Sequence, residues 1–288
     1  MHRSRILAAS GLILLVTGCS MQPIAPEYTT ATLMPETSAC VERLAGRSEA
    51  ISPGLDSDDF SIVNWNIQKG KDADWVADLQ ALNGGPDLLI LQEALLQTDE
   101  WESLVPGYFR SFAEGFGRDS SPSGVMTVSA ARPLTECALV VHEPWIGTRK
   151  ATLVTEYALT NTDKTLLVVN IHAINFTFGV RKLKNQLQQA QSIIAEHDGP
   201  VLFSGDFNTW RGGRARVLEE IVGELDLVPL EYDVDHRKRI FGRALDHIYL
   251  RGLSIVHATT IVANSSDHNP MSVRLRLSEQ PVRVGAAR

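Results

Sequence analysis

Asp206 and Asn208 stand two residues apart where the apolar run 201–203 breaks at Gly205, in the segment VLFSGDFNTW. Read alone, Asp-Phe-Asn after a strand is a turn whose side chains bond their own backbone. Five further polar clusters end or interrupt apolar runs, and they change that reading: Asn64 to Asn66, Gln92-Glu93, Asn170 to His172, Asp246-His247 and Asp267-His268. All six offer carboxylates, amides and imidazoles, the groups that suit a hard cation and a phosphate. Mg2+ takes one or two carboxylates and keeps waters and substrate oxygens, so Glu93, at the end of an apolar run, is a ligand candidate with Asn66 and Asp267 as neighbours.

The remaining groups fit phosphoryl transfer, which asks the protein for positioning and charge stabilisation rather than a covalent nucleophile. Asp206 could orient or deprotonate an attacking water, and Asn208 could donate to a phosphoryl oxygen. His172 and His268 could donate to the charge that builds on phosphate. A histidine with that task wants a carboxylate on its second nitrogen, and Asp246 is the candidate. For His172 no such partner can be assigned; Glu156 is a guess. His247 would point to the opposite face of an extended strand from Asp246, which makes it a core or surface histidine. Trp210 could stack on a base, cap the site or simply pack.

These residues need strands ending at a common edge. Strands are expected over 60–65, 87–91, 124–129, 138–142, 151–159, 165–171, 201–203, 245–250, 254–259 and 271–277. Helices are expected over 72–82, 180–197 and 213–225; in the second, Leu183, Leu187, Ala190 and Ile194 form one stripe, and Asp198-Gly199-Pro200 stops it. Many strands with few helices favour two sheets packed face to face with helices outside.

Asn64-Trp65-Asn66-Ile67, Leu91-Gln92-Glu93, Asn170-Ile171-His172, Ser204-Gly205-Asp206-Phe207-Asn208, Leu245-Asp246-His247 and Ser266-Asp267-His268-Asn269-Pro270 together resemble the ordered signature of the endonuclease/exonuclease/phosphatase superfamily. The resemblance covers about 60–277. It implies a DNase I-like four-layer α/β sandwich, two mostly antiparallel, mixed sheets with helices outside, and a Mg2+ or Mn2+ site. It also implies Glu93 as the main metal ligand with Asn66 and Asp267 contributing, Asp206 as the water-activating acid, Asn208 and His172 as phosphate-stabilising groups, and His268 as a catalytic histidine oriented by Asp246.

Outside that domain, basic residues precede an apolar run over 6–16, too short to span a bilayer and long enough for the core of a signal peptide. Val16-Thr17-Gly18-Cys19 resembles a bacterial lipobox, which implies removal of 1–18, acyl chains on Cys19 and attachment to a membrane, in the outer-membrane pattern because Ser20 follows. Residues 19–57, Pro-containing and without period, are expected to be a flexible tether; as a coil, 20–57 would reach ~35 Å. The catalytic domain is assigned to 58–277 and a tail to 278–288. In an exported protein Cys40 and Cys137 could form a disulfide or stay as two thiols. The net charge of −7 disfavours a broad nucleic-acid footprint, yet Arg211, Arg214, Arg216 and the group Arg237, Lys238, Arg239 and Arg243 flank the site segments. No long apolar hairpin for a bilayer is evident. The expected substrate is a phosphodiester, nucleic acid ahead of a phospholipid head group or a phosphorylated small molecule, hydrolysed by a protein expected to be a monomer; a surface lipoprotein without activity is the third reading.

Overall fold

The computed structural model describes residues 28–48, 53–82, 85–96, 100–116, 122–144 and 147–278. The chain forms β1 (Tyr28–Thr30), α1 (Thr37–Ala45), β2 (Phe60–Asn66), α2 (Trp75–Ala81), β3 (Leu88–Leu95), α3 (Glu100–Leu104), β4 (Phe109–Phe116), β5 (Ser123–Ser129), β6 (Thr135–His142), β7 (Arg149–Ala158) and β8 (Thr165–His172). There follow α4 (Arg181–Ala195), β9 (Val201–Asp206), α5 (Gly212–Glu224), β10 (Val228–Pro229), β11 (Arg239–Ile240), β12 (Arg243–Ala244), β13 (Asp246–Arg251), β14 (Leu253–Thr260) and β15 (Met271–Leu277). Two large sheets carry the fold, one in the order β1-β4-β5-β3-β2-β15-β14 and the other β10-β13-β9-β8-β7-β6. Only β1–β4, β2–β3 and β8–β9 pair in parallel within them.

The central strands bury both faces and therefore read as continuous apolar runs. In β8, Leu166 and Val168 face the other sheet and meet Ile62, Ile90, Leu202 and Met271. Leu167, Val169 and Ile171 face outward against Leu183, Leu187 and Ile194 of α4 and Leu218 of α5. On the far side Val63, Trp65, Leu89 and Leu91 meet Trp75 and Leu79 of α2 and Trp101 of α3. The result is the four-layer α/β sandwich with helices outside that the sequence implies.

The N-terminal segment corrects one expectation. Residues 19–57 were expected to be a tether, but 28–48 and 53–57 pack on the domain. Tyr28, Thr29 and Thr30 pair with Arg110, Ser111 and Phe112; Leu33 bridges Ala138, and Leu55 bridges Leu159. Cys40, fully buried in α1, is disulfide-bonded to Cys137 of β6 across a sequence separation of 97. Closing a loop that long contributes about 5 kcal/mol in the loop-entropy account. A nine-residue helix with one disulfide and one edge pairing leaves little periodic signal, which is why composition alone read the segment as coil. The signal-peptide and Cys19 assignments, and all but Ser278 of the 278–288 tail, lie outside the described residues. No described helix is long and apolar enough to cross a membrane.

Candidate active site

Strand period and register assemble the site. Along β2, β8 and β9 the pairs Asn64/Asn66, Asn170/His172 and Ser204/Asp206 repeat every second residue, so each pair lies on one face of its strand. The inner members bolt the sheets together. Gln92 Nε2 donates to Asn64 Oδ1 (3.1 Å) and Asn170 Oδ1 (2.9 Å), and Ser204 Oγ donates to Asn64 Oδ1 (2.8 Å). Asn170 Nδ2 reaches the carbonyls of Leu91 and Met126. The outer members form the site: register sets His172 opposite Asp206 and Asp206 opposite Asp246, on three neighbouring strands.

Asp206 is at the centre. Its Oδ1 accepts from the Asn208 backbone N–H (3.0 Å) and its Oδ2 from Asn66 Nδ2 (3.2 Å), with His172 Nε2 at 3.6 Å and His268 Nε2 at 4.0 Å. His268 Nδ1 lies 2.7 Å from Asp246 Oδ2, so Asp246 orients His268 in this structure. His172 Nε2 is 3.9 Å from Glu93 Oε1. Asn208 has a left-handed backbone (φ 52°), and its amide donates to the Ala173 carbonyl, which leaves one amide hydrogen for a ligand. Glu93 is likewise left-handed (φ 51°) at the irregularity between Leu91 and Ala94, and it lines a cleft of about 220 Å³ with His172, Lys69, Arg149 and Lys150. The exposed Asp267 adds negative charge beside His268.

Residues 63–268 match the model of the Endonuclease/Exonuclease/phosphatase family. The chain belongs to the endonuclease/exonuclease/phosphatase family. It is 37% identical over 230 residues to a UPF0294 protein of Vibrio campbellii, covering 78% of this chain and 81% of that one. Among solved structures it resembles an endonuclease/exonuclease/phosphatase from Beutenbergia cavernae (TM-score 0.65, 17% identity, 78% and 73% covered). It also resembles the catalytic domain of human Nocturnin with bound sulfate (TM-score 0.60, 16% identity, 82% and 99% covered). Members of the family are phosphoester hydrolases that generally use a divalent metal.

Electrostatics sort the family residues into roles. Burial disfavours charge on His268, but the Asp246 carboxylate against Nδ1, with the charges of Asp206 and Asp267, outweighs it and holds the imidazole protonated up to about 10. Burial raises the Asp206 carboxyl to about 6, partly offset by the His268 charge. His172 goes the other way. Burial, with the charges of Lys150 and His268, pushes it well below its ordinary value and keeps it neutral. Lys150 Nζ stands 2.6 Å from His172 Nε2, so the ammonium donates to the neutral ring. The positive charge in contact with His172 is therefore carried by Lys150, whose ammonium burial pulls below its ordinary value against the opposing charges of Glu93 and Asp206; the sequence reading missed this lysine. Its one signal is the Arg-Lys pair opening the apolar run 151–159, since Thr152 pairs with Ile171 and brings the start of β7 to the end of β8.

Glu93 presents to the cleft a carboxylate of the kind a divalent cation takes. Among the described residues no hydrogen bond is made to its carboxylate, which faces the cleft and not the protein interior. Asp206, Asp246 and His268 also offer ligand atoms within 4.8 Å of one another, with His268 Nδ1 engaged by Asp246 Oδ2, so a cation could be held there as well. Glu156 lies away from the site, against Thr165, Arg47 and His197, so it is no partner for His172. His247 is structural as expected: Nε2 is 2.7 Å from Thr209 Oγ1, and the ring packs on Phe207 and Tyr249. Arg214, expected near substrate, is buried and holds the carbonyls of Asn208 and Ile174.

Proposed function

We propose that this chain is a divalent-metal-dependent phosphodiesterase, nuclease-like in chemistry, in which a water deprotonated by Asp206 attacks phosphorus. The observation that carries the reading is the Asp206 carboxylate, fixed by two donors, between a neutral His172 and a protonated His268. A Mg2+ or Mn2+ held by Glu93, with Asn66 and Asp267 completing the set, would neutralise phosphate oxygens. Asp206 takes the proton of the attacking water. His268, kept protonated by Asp246, donates to charge on the phosphate or the departing oxygen. Lys150 adds a second positive charge, and Asn208 offers its remaining amide hydrogen.

A nucleic acid is the substrate the basic residues near the site first favour. A lipid head group is the second reading, supported by the exposed rings of Phe176, Phe178 and Phe241 beside the site. We further propose that the protein is anchored by acyl chains on Cys19. From Cys19 to Tyr28 the chain can span at most about 30 Å, so the anchor would hold the domain close to the bilayer. The test is a hydrolysis screen with Mg2+ and Mn2+ over plasmid DNA, RNA, phospholipid vesicles and sugar or inositol phosphates. Release of product from a phosphodiester, abolished by EDTA and restored by metal, supports the proposal; turnover of phosphomonoesters alone contradicts it.

A further inference from the structure

Three apolar tips surround the mouth of the site. Phe176 and Phe178, 58% and 84% exposed, lie on the segment that leaves β8 just after His172. Phe241, 82% exposed, is at the apex of the β11–β12 hairpin, which ends two residues before Asp246. Between them Trp210, two residues beyond Asn208, is held by Asn175 Oδ1 (2.9 Å), with the Phe241 ring 6.4 Å away and the Arg211 guanidinium 4.3 Å over its ring. A cavity of about 480 Å³ opens between Phe176, Phe178 and Trp210, with Ile240 and Arg211 on its wall.

The hairpin turn makes the point sharper. Phe241 and Gly242 both have positive φ (50° and 78°), a two-residue turn for which Asn-Gly is the favoured chemistry. A phenylalanine there takes a backbone conformation that side chains beyond glycine and asparagine rarely adopt, and it leaves its ring in water.

Charge singles out the same face. The three segments that build it, 173–184, 209–217 and 238–245, hold three basic residues each and no acidic one, although Arg214 among them is buried on backbone carbonyls and Arg239 pairs with Asp235 just ahead of the third segment. Arg181, Lys182, Arg211, Arg239 and Arg243 are exposed.

We propose that this face docks on an anionic lipid bilayer, with Phe176, Phe178, Phe241 and Ile240 entering the interface and the surrounding arginines and lysines meeting lipid phosphates. Rings at turn apices with a cationic collar match interfacial insertion, which needs apolar side chains at one level and attraction to anionic head groups. Base stacking asks instead for rings laid flat along a groove, and the aliphatic Ile240 adds nothing to it. Because the tips adjoin the strand ends that carry His172 and Asp246, docking sets the mouth of the site at the depth of the lipid phosphates.

The test reads insertion without turnover, so it stands apart from the catalytic proposal. In the full chain with Cys19→Ser, Phe178→Cys or Phe241→Cys is labelled with an environment-sensitive nitrobenzoxadiazole fluorophore. Asp163→Cys, at the opposite end of the β7–β8 pair, is the reference. With vesicles of phosphatidylglycerol and phosphatidylcholine, the probes at 178 and 241 should shift to the blue and brighten several-fold, while the probe at 163 should not. Arg211→Gln with Arg243→Gln should weaken this response, as should salt or pure phosphatidylcholine. Phe178→Ser with Phe241→Ser should lower vesicle partition on the order of tenfold per ring removed. Equal responses at 163 and at the tips, or no response at the tips, would overturn the proposal. So would a response to a single-stranded oligonucleotide with none to vesicles, which would make the face a base-stacking one.

Discussion

At the residue scale the account rests on opposite displacements of neighbouring groups. Asp206 must be ionised to take a proton, and burial sets its carboxyl at about 6; His268 must be protonated to give one, and Asp246 holds it charged to about 10. The rate should therefore rise with pH through about 6 and fall near 10. Asp246→Asn removes the charge that opposes the burial of His268, so the alkaline limb should move down by more than one pH unit; the acid limb should also move down, because the Asp246 charge helps to raise Asp206, and a pH–rate profile of both proteins checks this. Stability follows the same signs. The Asp246–His268 pair stabilises fully below the ordinary histidine value and loses its contribution as pH rises through about 10, whereas Asp206 favours folding as pH falls from about 6 toward 3.8. The polar clusters were legible because each interrupts an apolar run. Lys150 was not, since a lysine at a strand end usually only meets water, and only the β7–β8 register gives it a site.

At the element scale, Gly205 shows why the D-x-N segment needs its glycine. Its φ is 148°, and a Cβ there would lie 1.9 Å from the Ile171 carbonyl oxygen on β8. Gly205→Ala should push β9 away from β8, separate Asp206 from His172, and lower stability by about 3 kcal/mol, read from urea unfolding. A fold as stable as wild type would mean that the strands tolerate the added carbon. The strands that alternate or run continuously apolar were legible, as were α2, α4 and α5 to within a few residues. β4 was not: FRSFAEGF carries Arg110, Glu114 and Gly115, and its polar residues are accommodated by pairing, as where Glu114 meets Arg149. α1 was missed because its buried contact is a disulfide, and spacing cannot give distance.

At the scale of the whole molecule, two sheets bring six clusters scattered from Asn64 to Asp267 to one edge of a sandwich, and the polar layer of Asn64, Gln92, Asn170 and Ser204 locks the sheets in the alignment this requires. That layer was quoted in the sequence signature with its catalytic neighbours, and nothing in one dimension separates the two; the period-2 geometry of the strands does. The central claim is that a divalent cation at Glu93 and a base at Asp206 together hydrolyse a phosphodiester. The most direct measurement is the rate on bis(p-nitrophenyl) phosphate as Mg2+ or Mn2+ is added back to chelated protein, for wild type, Glu93→Gln and Asp206→Asn. Wild type should recover full activity with metal. Glu93→Gln should need at least about tenfold more of it, and Asp206→Asn should stay ~10³-fold slower at saturation. Activity that survives chelation, or an Asp206→Asn protein with the wild-type rate, would contradict the account.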